Sequence, residues 1–291
     1  MVVFSRKVVE VDKTSWLVGF VAGDGFIDER HVEIYNSSPS ALLHIMRVLR
    51  ILRVPKYRIK VDITTESKKA LKRWSEVLDL PIGNIKSRKN LSPWKANKEM
   101  VRVRVSSKEL ASTITKMDSL LCKLPKGSDA NKQYVKGLFD AEASVDSKGY
   151  VEFKQVVRQK GKDIVKRTYN ILTTLMIECT EPKTKRDKNK DDIYFYVKDI
   201  ERYRELIGFV DSDKKNKLKI LIRCRKKNKR IDKEDILNFS KNPVSIFDIM
   251  KEFHCAYHNA RIPLNSLIKD GKVIKQRDGL KIVYLTARQT R

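Results

Sequence analysis

The sequence predicts an α+β protein built from two related halves and a smaller C-terminal module. Three observations lead there. An apolar segment at 16–25, WLVGFVAGDG, is echoed at 134–143, YVKGLFDAEA. Amphipathic helical runs alternate with strict apolar–polar alternation, as in YRIKVDIT at 57–64. Beyond residue 233 the texture changes to three short helical patterns and two strands joined at Asp-Gly. The expected division is 1–125 and 126–222 for the halves, 223–233 for a basic linker and 234–291 for the module.

The echoed segments share an apolar run, a glycine (Gly19, Gly137), a small residue four positions on (Gly23, Ala141) and then an acid, Asp24 or Glu142. Positions four apart share a helix face, so each segment carries a small-residue notch. Two notched helices can bring their backbones close. Each then delivers a carboxylate at its C-terminal end, where the helix dipole disfavours it. Two acids placed side by side there must share a cation or a proton. Oxygen ligands of this kind suit Mg²⁺.

At these residues the chain resembles the LAGLIDADG homing endonuclease family in its single-chain, two-motif form. The pattern falls on Leu17–Gly25 and Val135–Ala143, departing from it with Ala22 at the first acidic position and Ala143 at the last glycine. The resemblance extends more weakly over about residues 10–222. It implies two pseudo-symmetric αββαββα halves with saddle-shaped antiparallel sheets. It implies that Asp24 and Glu142 hold metal, with the backbone carbonyls of Gly23 and Ala141 contributing.

Composition agrees with a polyanion partner. Lys and Arg number 63 against 36 Asp and Glu, a formal charge of +27 spread along the chain. No apolar run is long enough to suggest a membrane span, and MVVFSRKVVEVDK does not read as a signal peptide. A monomeric, cytoplasmic protein of a prokaryotic nucleoid or an organelle, not secreted and with no membrane partner, is expected. Cys122, Cys179, Cys224 and Cys255 have no zinc or disulfide spacing and read as free thiols.

In the first half, Asp12 or Thr14 is expected to cap the motif helix, which runs to about Asp24. Short strands at 26–28 and 31–37 follow, the second placing Val32, Ile34 and Asn36 on one face. Pro39 opens a helix with Leu42, Ile45, Met46, Leu49 and Leu52 at helical spacing. In the strand at 57–64, Tyr57, Ile59, Val61 and Ile63 are expected to face a core, with Arg58, Lys60, Asp62 and Thr64 outward. The strand at 101–106 likewise puts Arg102 and Arg104 outward. A basic twisted β-surface can enter the DNA major groove, where Arg and Lys reach guanine. Between these strands lie a helix at 67–80 and a loop at 81–98, whose Lys86, Arg88, Lys89 and Lys95 could clamp a phosphate backbone. A helix at 109–121 closes the half.

Ser128 or Asp129 is expected to cap the second motif helix. A turn at 147–149 leads into YVEFKQVV, where Val151, Phe153 and Gln155 match Val32, Ile34 and Asn36. The resemblance nominates Asn36 and Gln155 to hold water and metal near a scissile phosphate; satisfying backbone groups is the other reading. A helix at 164–177 precedes a hairpin at 180–198 with a charged tip at 185–192. Lys154, Arg158, Lys183, Lys185, Tyr194 and Tyr196 are the DNA-contact candidates of this half, Lys154 and Lys185 also as stabilisers of transition-state charge. A short helix at 201–207 and the run IGFVDSDKKNKLKIL end it.

The linker RCRKKNKRIDK has no periodicity and reads as a tether or a nonspecific phosphate contact. Helices are expected at 234–240, 245–253 and 264–269, then a hairpin turning at Arg277-Asp278-Gly279. This order resembles a winged helix, which implies DNA contacts from Tyr257, His258, Asn259 and Arg261, before or at the start of the third helix. Pro263 is expected in that helix's first turn, where proline is tolerated.

The function these readings imply is a site-specific, intron-encoded DNA endonuclease. It would make a Mg²⁺-dependent staggered double-strand cut in a long asymmetric target, with Mn²⁺ or Ca²⁺ able to replace Mg²⁺ for binding. Two rivals use the same scaffold: a maturase acting on intron RNA, and a non-cleaving DNA-binding regulator.

Overall fold

The computed structural model describes residues 2–65, 67–88, 99–186, 191–225, 230–278 and 281–287, with backbone alone at 2–10, 278 and 281. The chain forms two compact units, one of Met1–Lys95, Glu99–Ser144 and Val151–Lys214, the other chiefly of Lys215–Arg291.

The first unit opens with α1 (Val2–Asp24), β1 (Gly25–Ile27), β2 (His31–Asn36), α2 (Pro39–Ile51) and β3 (Ile59–Ile63). It continues with α3 (Lys68–Leu78), β4 (Ile85–Ser87), β5 (Val101–Ser106) and α4 (Lys108–Lys123). Next come α5 (Asp129–Glu142), β6 (Ser144–Asp146), β7 (Tyr150–Val156), α6 (Gln159–Thr174), β8 (Lys183–Arg186), β9 (Asp191–Val197) and α7 (Ile200–Leu206). Helix α8 (Ser212–Cys224) follows.

The fold is α+β with antiparallel sheets. The strands run β1-β2-β5-β3-β4 in one sheet and β6-β7-β9-β8 in the other. With β4 set aside and β1, β2, β3 and β5 matched to β6, β7, β8 and β9, the two orders are identical. Each half is therefore an αββαββα unit, and the first carries an insertion of α3 and β4. Strand β4 pairs in parallel with β3, Val61 opposite Ile85, where the sequence suggested only a loop.

The motif helices form the seam. Leu17, Phe20, Val135, Leu138 and Phe139 are fully buried there. A Cβ on Gly19 would land in the carbonyl of Tyr134, and one on Gly137 would land in the carbonyl of Trp16. Each notch thus receives the partner's backbone, which only glycine permits. Behind α5, Phe139 stacks on Phe153 with ring centroids 5.0 Å apart, and Phe195 packs 5.4 Å from Phe153. Helix starts follow from capping hydroxyls: Ser38, Ser67 and Ser128 accept the backbone N–H of Ala41, Ala70 and Asn131.

Several expectations are corrected. Helix α1 is continuous through Asp12 and Thr14, so neither caps it; the apolar residues ahead of them continue the helical run. Residues Lys56–Arg58 form a 3₁₀ turn after Pro55, so β3 begins at Ile59 and Tyr57 is 69% exposed, not in the core. Asp62 and Arg102 sit on the outer sheet face yet are only 5% and 8% exposed, because they cover each other. Helix α6 begins at Gln159, ahead of the expected 164. Lys89 and Lys95, and part of the 185–192 tip and of the 223–233 linker, lie outside the described residues.

The second unit holds α9 (Lys233–Phe239), α10 (Ile246–Phe253), α11 (Tyr257–Lys269) and the hairpin β10 (Val273–Asp278) with β11 (Lys281–Thr286). Ser245 and Asp248 close a capping box on α10. Ile236, Ile249, Met250, Leu264 and Leu267 make its core. Pro263 lies inside α11, not in its first turn; the helix starts at Tyr257 and so includes Tyr257, His258, Asn259 and Arg261. Gly279 of the expected turn lies outside the described residues. Among the described residues, no helix is long and apolar enough to cross a membrane.

The seam makes a stability prediction. Gly19→Val should cost about 3 kcal/mol or more, since the obstacle is backbone that cannot yield. Gly83→Ala, where a Cβ meets nothing within 4 Å, should change stability by less than about 0.5 kcal/mol. Urea denaturation of both variants checks the contrast.

Candidate active site

Asp24 and Glu142 are the last residues of α1 and α5. The notch brings them together: a Cβ on Gly23 would lie 2.8 Å from Ala141 Cβ and 2.8 Å from Glu142 Cγ. Burial pushes the Asp24 carboxyl up to about 7, and the Glu142 charge beside it pushes the same way. Two groups oppose the rise, the Lys214 ammonium and a hydrogen bond from the Asn36 side chain. Asn36 is fixed for this contact because its Oδ1 accepts the N–H of Ser38 at 2.7 Å. Gln155, its counterpart in the second half, has a buried Nε2 with no hydrogen-bond partner.

Two functional candidates at this site were not visible in the sequence reading. Lys214 reaches from the first turn of α8 to the end of α5, its Nζ donating to the carbonyls of Phe139 (3.0 Å), Asp140 (2.6 Å) and Ala141 (3.4 Å). A cation there opposes the negative end of the helix dipole. Burial pulls its pKa down, while Asp140, Asp211, Asp24 and Glu142 pull it up. Asp140 is the second. Its carboxylate accepts Trp16 Nε1 at 2.9 Å and the N–H groups of Val210 and Asp211 at 3.0 and 2.9 Å. The available signal was positional, since Asp140 occupies in the second copy the place of Ala22 in the first. Lys214 had none, because a lysine in DSDKK looks like any solvated helix start.

The candidate contact residues divide by sheet. On the first, register sets Arg104 between Lys60 and Glu33, and Arg102 between Asp62 and Tyr35. Arg102 hydrogen-bonds Asp62 through Nε at 3.0 Å, and its Nη1 lies 3.5 Å from Glu33. Arg104 pairs with Glu33 at 2.5 Å. Arg102 thus faces outward, as expected, but is a buried, neutralised cation. Lys60 is exposed and donates to Asn84, and Arg58 pairs with Glu109 at 2.9 Å. Arg88 pairs with Asp62 at 3.1 Å, and Lys86 is exposed on β4.

On the second sheet, Lys154 and Lys183 both lie opposite Tyr194, and Lys185 opposite Asp192. Lys154 pairs with Asp192 at 3.3 Å, Tyr194 and Tyr196 pack at 5.3 Å, and Lys183, Lys185 and Arg158 are exposed. In the second unit, Arg261 stands 5.7 Å over the Tyr257 ring on α11; His258 is exposed and Asn259 half-buried.

The acids fit a divalent ion. Burial first and the Glu142 charge second disfavour ionised Asp24, and a hard cation would offset both; carboxylate oxygens suit Mg²⁺. Among the described residues no three His, Cys, Asp or Glu side chains converge to hold a metal. Further ligands must then be water, phosphate or backbone oxygens, the usual environment of Mg²⁺. The Ala141 carbonyl proposed for this already accepts from Lys214.

No protein-family model matches the chain, and no curated protein matches it. Among solved structures the chain is similar to the homing endonuclease I-DmoI in complex with DNA and Mn. The identity is 14%, over 68% of this chain and 97% of that one, with a TM-score of 0.46. It is also similar to full-length DUF199/WhiA from Thermatoga maritima, at 15% identity over 90% of this chain and 91% of that one, TM-score 0.45.

The raised Asp24 pKa has a definite sign. Between pH 3.8 and about 7 the folded state binds the extra proton, so stability falls as pH rises through that window. Asp24→Asn should remove the slope and stabilise the protein at pH 8 by on the order of 2 kcal/mol. Millimolar Mg²⁺ should raise the melting temperature of the unaltered protein at pH 8 and leave that of Asp24→Asn/Glu142→Gln unchanged. Thermal unfolding across pH, with and without the ion, tests both.

Proposed function

We propose that the chain is a site-specific endonuclease that hydrolyses phosphodiesters of double-stranded DNA as a monomer, using a divalent ion held by Asp24 and Glu142. The observation that carries this reading is the abutment of two carboxylates at the ends of two notched helices in a chain of charge +27. When bound, Mg²⁺ supplies charge opposite a phosphoryl oxygen and lowers the pKa of a water, and Mn²⁺ would substitute.

The protein's own residues do the rest. Asn36 holds the Asp24 carboxylate by hydrogen bond and favours its ionised form. Gln155 Nε2 is a buried donor with no hydrogen-bond partner among the described residues, on the strand position that matches Asn36. Lys154, Lys183, Lys185 and Arg158 with Lys60, Lys86 and Arg104 supply phosphate and base contacts. Tyr257, His258, Asn259 and Arg261 are the contact residues of the second unit. One acid per half allows one cut per strand.

Lys214 favours a second reading. Its ammonium faces both acids and lies against three α5 carbonyls, so it offsets part of their charge without a metal. A non-cleaving DNA-binding regulator would use the seam in that way.

The double variant Asp24→Asn/Glu142→Gln should lose Mg²⁺-dependent cutting of a selected duplex by at least about 10³-fold, with DNA affinity retained. Selection of cleaved duplexes from a randomised pool supplies the substrate. Normal nicking by the variant sinks the metal assignment. Binding with no cutting by the unaltered protein supports the regulator instead.

A further inference from the structure

A cavity of about 640 Å³ lies in the first unit, lined by α1, α4, α5, α6 and the segment joining α4 to α5. No strand contributes to it, so it is separate from the sheet faces proposed for duplex. It opens beside Ala22, whose counterpart Asp140 is tied to Trp16 and to the backbone of Val210 and Asp211. The first half lacks that carboxylate, and space remains where the second half is filled.

Two residues lining the cavity carry buried polar atoms with no hydrogen-bond partner among the described residues, Asn131 Oδ1 and Arg167 Nη2. Asn131 is 2% exposed, and its Nδ2 is spent on the carbonyl of Pro125 at 3.0 Å. Arg167 is held from two sides, by Asp118 at 2.7 Å and by the Tyr134 ring 4.0 Å beneath its guanidinium. An orphaned acceptor and an orphaned donor are costly to bury, so a ligand that satisfies both gains from each. Around them Leu121, Ile164 and Ile171 make apolar walls, while Lys126, Lys160 and Lys166 stand exposed at the rim.

We propose that this cavity binds a free mononucleotide. A nucleobase edge carries both acceptors and donors, the chemical complements of Arg167 Nη2 and Asn131 Oδ1. The flat ring suits the apolar walls, and the phosphate meets the lysines at the rim. The volume is that of an ordinary small-molecule site.

The test titrates the full-length protein with AMP, GMP, CMP and UMP by calorimetry, with inorganic phosphate in parallel. At least one nucleotide should bind one-to-one, phosphate alone at least tenfold more weakly. Ala22→Leu, which fills the cavity, should weaken nucleotide binding at least tenfold with duplex affinity unchanged. Lys160→Glu at the rim should weaken it severalfold. Cys122 lines the cavity and is exposed, so the bound nucleotide should slow its alkylation by iodoacetamide at least fivefold, a measurement that needs no substitution. The proposal is overturned by absence of saturable binding, by phosphate binding as well as the nucleotides, by unweakened binding in a folded Ala22→Leu, or by unprotected Cys122.

Discussion

The reciprocal contact of Gly19 with the Tyr134 carbonyl and Gly137 with the Trp16 carbonyl sets the geometry of everything around it. Backbone against backbone leaves no side chain to adjust, so the helices have one spacing. The residues just after the notches inherit that spacing: Gly23 meets Ala141, and Asp24 meets Glu142. A wider seam, with a side chain between the helices, would admit water to Asp24 and separate it from Glu142, weakening both the burial and the repulsion that raise its pKa. Packing at one end of the notch therefore creates the electrostatics at the other.

That electrostatic cost is offset from several directions. Each helix presents its negative end to its own acid, so dipole and neighbour act together against ionisation. Asn36 and Lys214 act the other way, one by a hydrogen bond to the charged form, the other by charge. Lys214 also donates to the Asp140 and Ala141 carbonyls in the last turn of α5, where a helix runs out of N–H partners. It does both because α8 begins against Asp140, whose carboxylate accepts the Val210 and Asp211 N–H groups and so aims the first turn of α8 at the seam. The first half has Ala22 instead of this anchor.

What the sequence revealed depended on the range of the interaction. The motif helices, the notches, the paired acids and the strands of both halves were legible, because each is written in local periodicity or in a repeat. Asn36 could be placed near Asp24 because strand alternation fixes the face of β2. Lys214 and Asp140 were invisible as partners: their bond lengths join segments more than seventy positions apart, and neither residue type is unusual where it stands. The burial of the outward-facing Asp62 and Arg102 was invisible for a related reason. Alternation tells which face a residue occupies, but not what covers that face. Strand β4 was missed because three residues after a turn carry too little pattern to mark a strand.

The halves match in their helices and differ in their sheets, and the difference lies in where the acids fall. On the first sheet Glu33 and Asp62 stand in register with Arg104 and Arg102, so two arginines are committed before any ligand arrives. Releasing Arg102 would take one cation from each of two buried carboxylates, leaving Asp62 to Arg88 and Glu33 to Arg104; it acts as a brace between its neighbours. On the second sheet Asp192 holds Lys154, while Lys183 and Lys185 extend from the edge strand into solvent beside two tyrosines. The first sheet therefore presents a partly neutralised surface and the second presents exposed, unneutralised cations at its edge. Equal strand order thus does not produce equal surface charge.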